Sequence, residues 1–118
     1  MNLDALTRAL APSEVAGARS VEISDLAYDT RRVNEGALFF CVSGQRVDGH
    51  ELAGEAVERG ASALVVERVL DLNLPQLVVP DSRAAMAVAA DVFFDFLEDV
   101  TQGFIPSGRP KPLTGRVN

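Results

Sequence analysis

Apolar residues change their spacing several times along this chain, and each change marks an element. Leu3, Leu6 and Leu10 recur three and four residues apart, which predicts a short amphipathic helix over 2–10 ended by Pro12. It is expected to lid one edge of the domain. After a loop over 11–20, the apolar positions Val21, Ile23, Leu26 and Tyr28 predict a strand with a slip near Asp25. Arg32 to Gly36 has turn chemistry, with Asn34 and Gly36 both able to take positive φ. Ala37 to Val42 is apolar at every position, as in a strand covered on both faces.

A second glycine loop, Gly44 to Gly49, follows and is expected to run straight into a helix. Asp48 stands three residues before Glu51, the spacing of a capping box. Leu52, Ala53, Ala56 and Val57 form that helix's buried stripe, and Gly60 ends it at the C′ position. Ala63 to Val66 is the next buried strand, so strand, helix and strand make one βαβ unit with parallel strands. Leu77 to Val79 is a further short strand, stopped by Pro80. Asp81 or Ser82 then caps the longest helix, over 82–100. Its apolar positions Ala85, Met86, Ala89, Val92, Phe93, Phe96, Leu97 and Val100 keep helical spacing, while Asp91, Asp95, Glu98 and Asp99 form a wet face. The class predicted is α/β: a small mixed or parallel sheet with flanking helices, forming one domain over residues 1–100. Residues 101–118 hold three Gly and three Pro with little to bury, which predicts a disordered or non-family tail.

Charge narrows the partners. The net charge of −6 argues against a nucleic-acid surface, which would need a basic stripe. Residues 1–100 carry eight Arg against seventeen Asp and Glu, a net of −9, whereas 101–118 carry Arg109, Lys111 and Arg116 and no acid, a net of +3. Cys41 is the only cysteine and lies in an apolar strand, so a buried, inert thiol is expected and no intrachain disulfide can form. No apolar run reaches the length of a membrane span, and the N-terminus resembles neither a signal nor a transit peptide. A cytoplasmic monomer, without a nucleic-acid or membrane partner, is the expectation.

Several chemistries lack their residues. The sole lysine, Lys111, lies between two prolines in the tail, so the chain holds no P-loop for ATP. His50 is the only histidine and has no partner at metal-ligand spacing, so no metal site is expected and a packing role at a helix start is the plainer reading. Gly44 to Gly49 lacks the second glycine of a dinucleotide fingerprint. What remains is a binding constellation. Asp29, Thr30 and Arg31 can offer a carboxylate, a hydroxyl and a guanidinium at a strand end, or can form a local turn bonded to its own backbone. Gln45 and Arg46 lie in a loop entering a helix N-terminus, where N–H groups favour anions, or else in a solvated loop. Gln45 carries both a donor and an acceptor, the pair that the imide edge of a pyrimidine requires.

The run YDTRRVNEGALFFCVSGQRVDGH, then RGASALVVE and VVPDSRAAMAVAADVFF, resembles the N-terminal domain of the Mur ligases over about residues 20 to 94. The later two segments are more similar to ligases adding the third amino acid to UDP-N-acetylmuramoyl-L-alanyl-D-glutamate than to those adding D-Ala-D-Ala. The resemblance implies that this domain holds the UDP part of a UDP-N-acetylmuramoyl-peptide. Tyr28 and Thr30 would line the nucleotide from the strand end, and Gln45, Arg46 and Val47 from the glycine loop. The family's ATP and Mg2+ would be bound elsewhere, so this chain is expected to hold no cofactor, to have no catalytic residue, and to be inactive alone. After Phe94 the family pattern of a linker, strand and P-loop does not continue, as in a truncated or frameshifted gene. Two alternatives remain: the D-Ala-D-Ala-adding ligase, or a ligand-free interaction module presenting Phe93, Phe96 and Leu97 to a partner.

Overall fold

The computed structural model describes residues 1–44 and 46–102, with side chains up to Glu98. The two fully apolar runs form its inner strands. Ala37–Phe40 and Ala63–Val66 are buried at every position, because alternate side chains enter two different cores. Leu38, Phe40, Ala63 and Val65 join one cluster, while Ala37, Phe39, Leu64 and Val66 join the other.

In chain order the strands are β1 (Glu14–Ala16), β2 (Asp25–Ala27), β3 (Ala37–Phe40), β4 (Ala63–Val66) and β5 (Gln76–Val78). The helices are α1 (Leu3–Leu10), α2 (Ala53–Glu58) and α3 (Ser82–Gln102). The sheet runs β1-β5-β4-β3-β2, with β1 antiparallel to β5 and every other pair parallel. The mixed α/β sheet is thus as expected. α1 and α3 cover one face, through Leu3, Leu6, Ala85, Ala89 and Phe93, so α1 packs in a face layer beside α3. All three crossovers lie on the opposite face. Val33 comes from the 28–36 link, Ala53 and Ala56 from α2, and Leu74 from the 67–75 link. β2 to β5 step one way across the sheet, so crossovers of a single hand must all fall on one side.

Local chemistry explains the boundaries. Asp81 caps α3, its Oδ1 accepting from the N–H groups of Arg83 at 3.0 Å and Ala84 at 3.1 Å. α3 continues to Gln102, two residues beyond the predicted end. Gly60 and Ala61 donate to the carbonyls of Val57 and Ala56, the paired bonds that close the C-terminus of α2. Gly36 takes the expected positive φ of 87°, but among the described residues the only non-glycine with positive φ is Ala11, so Asn34 does not.

Three expectations are corrected. The 11–20 loop contains β1, a short, mostly exposed edge strand whose apolar residues, Val15 and Ala16, are adjacent and give no alternation to detect. The strand predicted from Val21 begins only at Asp25. Residues 21–23 pair instead with the chain start, Leu3 donating to Val21 and Ile23 to Met1. The glycine loop does not run straight into a helix, because a 3-10 turn over Gly49–Leu52 intervenes before α2. The proposed tail, apart from the helical Thr101 and Gln102, lies outside the described residues.

Candidate functional site

Parallel strands aim their carboxyl ends at one edge of a sheet, and binding loops of α/β proteins gather there. At that edge β2 delivers Tyr28, Asp29 and Thr30; β3 delivers the 43–48 loop; β4 delivers Glu67 and Arg68; and β5 delivers Asp81, Ser82 and Arg83.

Tyr28 leaves β2 with 63% of its surface exposed. With Leu26, Phe40, Arg83, Met86 and Phe94 it lines a mainly apolar groove of about 430 Å³ between the sheet and α3. Thr30 is buried as the first residue of a 3-10 turn, Thr30–Arg32. Asp29 caps that turn and also grips Arg31. Its Oδ1 accepts from the Arg31 backbone N–H at 3.0 Å and from Nε at 3.1 Å, while Oδ2 accepts from Nη2 at 2.8 Å. The Arg31 side-chain bonds, then its backbone N–H, hold the Asp29 carboxyl down at about 2. Carboxylate and guanidinium thus satisfy each other and form a local turn rather than a free pair.

The glycine loop is a small hairpin. Gly49 donates to Val42 at 3.0 Å, Ser43 bridges Asp48, and Gly44 donates to Val47 at 2.9 Å. A Cβ on Gly49 would lie 2.6 Å from the Val42 nitrogen, so only glycine lets the two backbones close this far. Arg46 and Val47 are exposed on the loop; Gln45 lies outside the described residues. Asp48 caps the following turn through the His50 N–H, not through a reciprocal pair with Glu51, and so occupies the nearest helical donor. At α3 the Ser82 N–H is likewise taken, by Glu67 Oε2 at 2.8 Å. Positive charge for an anion at this edge therefore comes from side chains, Arg46 and Arg83, more than from open helix ends.

Tyr28 and Thr30 are brought to the same sheet edge as the loop carrying Arg46 and Val47. Sequence reasoning missed the α3 contribution: Arg83, Met86 and Phe94. The signal was available, since a helix that starts at the carboxyl end of a parallel strand puts its first turn beside the other strand ends. His50 is buried among hydrogen bonds, consistent with a packing role. Phe93 packs in the core at 2% exposure, so it faces its own sheet and not a partner. Among the described residues, no group of three or more His, Cys, Asp and Glu could hold a metal ion, and no helix is long and apolar enough to cross a membrane.

The sequence profile of the Mur ligase family, described as its catalytic domain, matches residues 22–94, well over half of the chain. The chain belongs to the Mur ligase family. Among its relatives is the UDP-N-acetylmuramoyl-L-alanyl-D-glutamate--2,6-diaminopimelate ligase of Geobacillus thermodenitrificans, 58% identical over 62% of this chain and 15% of that protein. The ligase of the same name from Listeria monocytogenes is 43% identical over 80% of this chain and 19% of that protein. The chain thus spans less than a fifth of these Mur ligases, and the match covers only their N-terminal part. Among solved structures, MurF from Acinetobacter baumannii superposes with a TM-score of 0.63 at 27% identity, over 72% of this chain and 19% of that one. The Mur ligase fold and membership are shared by both comparisons, while the higher identities go to the 2,6-diaminopimelate ligases.

Proposed function

We propose that this chain is the UDP-recognition domain of a Mur ligase that adds 2,6-diaminopimelate to UDP-N-acetylmuramoyl-L-alanyl-D-glutamate in cytoplasmic peptidoglycan synthesis. The observation that supports the proposal is that the Tyr28–Thr30 segment and the 43–48 loop follow neighbouring parallel strands at one sheet edge, where Tyr28 lines a groove of about 430 Å³. That volume lies within the range of small-ligand sites. Tyr28 offers an exposed ring face for a base, Thr30 a hydroxyl, and Gln45 the donor and acceptor an imide edge needs. Arg46 and Val47 complete the loop side. The body of the domain, at −9, repels a diphosphate at long range, so Arg46 and Arg83 supply the local attraction, with distant charges screened beyond about 8 Å at physiological salt. Arg31 is spent on Asp29.

The domain by itself is expected to bind UDP weakly, on the order of 0.1–1 mM, because it spans less than a fifth of the relatives it matches. Having no P-loop lysine, it is expected to hydrolyse no ATP. The test is an amide NMR titration of the 118-residue chain with UDP-N-acetylmuramoyl-L-alanyl-D-glutamate. Shifts are expected at Thr30, Arg46 and Val47, and Arg46→Gln should weaken binding about 3- to 10-fold. Shifts confined to residues 103–118 would remove the proposal.

A second reading, the D-Ala-D-Ala-adding ligase, is favoured by the superposition on MurF. The two readings hold the same nucleotide, and the 58% and 43% identities support the diaminopimelate ligase. As an interaction module the chain would associate with itself or a partner. We expect a monomer, for which sedimentation should be independent of concentration.

A further inference from the structure

The 43–48 hairpin is tied to the rest of the sheet edge by exposed contacts and by one buried contact. Arg83 Nη2 donates to the Ser43 carbonyl at 3.3 Å, and Arg68 Nη1 to Asp48 Oδ2 at 3.5 Å, both in solvent and both long. The buried tie runs through His50. Its Nδ1 lies 2.7 Å from Asp48 Oδ1, the same oxygen that accepts from its backbone N–H at 2.9 Å. Its Nε2 accepts from the Glu67 N–H at 2.9 Å, so the ring proton sits on Nδ1. Glu67 in turn holds the Ser82 N–H at 2.8 Å, which carries the link into α3. One line of bonds thus joins the hairpin, β4 and α3, with the His50 side chain fully buried at its centre.

We propose that His50 is a positioning residue for the hairpin: it fixes the loop against β4 through an unprotonated Nε2, and a proton there releases it. The consequence for ligand binding rests on the nucleotide reading above; the tie itself does not. A proton on Nε2 removes the lone pair that the Glu67 N–H requires and sets one donor against another. The charged groups joined to this line of bonds are Asp48, bonded to the ring; Glu67, whose backbone meets Nε2 while its carboxylate holds Ser82; Arg68 on Asp48; and Arg83 of α3 on the hairpin at Ser43. The Cys41 thiol of β3's extension is close enough to feel the Asp48 charge. Asp48, held down at about 2 chiefly by the His50 backbone and ring bonds, stays ionised when the ring gains its proton. The protonated ring therefore keeps Asp48 and lets go of Glu67.

The test follows amides and the His50 ring of the full chain by NMR across acid to neutral pH, without ligand. The Glu67 amide and those of Ser43, Gly44, Arg46 and Val47 are expected to move with the ring's own titration, and exchange at Glu67 to speed at least tenfold. His50→Gln keeps an acceptor for the Glu67 N–H and takes no proton, so its loop amides should stay flat over that range. His50→Ala should show the released loop at every pH; should that variant not fold, the wild-type and Gln profiles decide alone. Loop amides indifferent to the ring's titration would overturn the proposal, as would a Gln variant that titrates like the wild type. A UDP titration on either side of the ring's transition separates the two readings. Affinity lower by threefold or more on protonation, in the wild type and not in His50→Gln, supports positioning of the site. Equal affinity overturns that role. Loop amides that follow the ring while UDP binds at no pH would support the tie and sink the nucleotide reading.

Discussion

Gln76 shows what a single polar side chain can organise. Buried at 2% exposure, it accepts from the Leu70 N–H at 2.8 Å and donates to the carbonyls of Leu70 and Leu72 at 2.9 and 3.1 Å. It adds these bonds to a helix-free 67–75 link that makes its own bond from the Leu72 N–H to the Leu70 carbonyl. Gln76→Glu preserves the acceptor but turns an ionised oxygen toward two carbonyls, so a loss of about 1–3 kcal/mol is expected at neutral pH by urea unfolding. The new carboxyl's folded pKa would be raised, so the loss should shrink as pH falls through that value. The natural carboxylates behave oppositely. Asp29 and Asp48 are held near 2, against 3.8 ordinarily, by bonds from Arg31 and His50 respectively. Between those values the unfolded chain binds protons that the folded chain does not, so stability should fall as pH drops from about 4 toward 2. Urea midpoints at pH 5, 3 and 2 test this, and an unchanged midpoint would refute it.

Elements differed in how far their sequence betrayed them. β4 falls on the residues its apolar run predicts, and β3 begins where expected, because a strand buried on both faces must be apolar throughout. α3 was legible for the length of its pattern. β1 was not, since three residues pairing at an exposed edge need no apolar alternation. The candidate site was half legible. Tyr28, Thr30 and the glycine loop are close in sequence and polar where strands end. Arg83 and Phe94 reach the groove only because β5 hands the chain back to the same edge, a long-range fact that no local spacing contains. The helix also separates two neighbouring aromatics. Phe93 is buried at 2% and Phe94 is 60% exposed on the groove, their rings edge-to-face with centroids 5.9 Å apart. Phe93→Ala is expected to cost about 3–5 kcal/mol by denaturation. Phe94→Ala should cost under about 1 kcal/mol while weakening ligand shifts at Tyr28. Equal losses of stability would mean that α3 is not seated as described.

The molecule as a whole has two cores and one sheet, which bears on how it unfolds. Successive residues of β3 alternate between the clusters, Leu38 and Phe40 toward α1 and α3, Ala37 and Phe39 toward α2, and Cys41 just past the strand joins the α2 side. Neither core can therefore come apart without stripping the strand that the other needs, and a single cooperative transition follows. Cys41 reports the α2 side. Burial first, then the Asp48 charge, partly offset by Arg68, pushes its thiol up to about 12, so the folded chain offers almost no thiolate at pH 8. Far-UV circular dichroism reports mainly α3, by far the longest helix, on the other side. The midpoint of Cys41 labelling by brief thiol pulses in urea is expected to coincide with the loss of helix signal. A thiol that labels at lower urea would show that the α2 face opens alone. Because the unfolded thiol ionises near 9, the same transition should move to lower urea as pH rises past 9, the unfolded chain then releasing a proton that the folded chain retains. Cys41→Ala should lose that alkaline dependence while keeping a single transition, which separates the thiol's titration from any general alkaline loosening of the sheet.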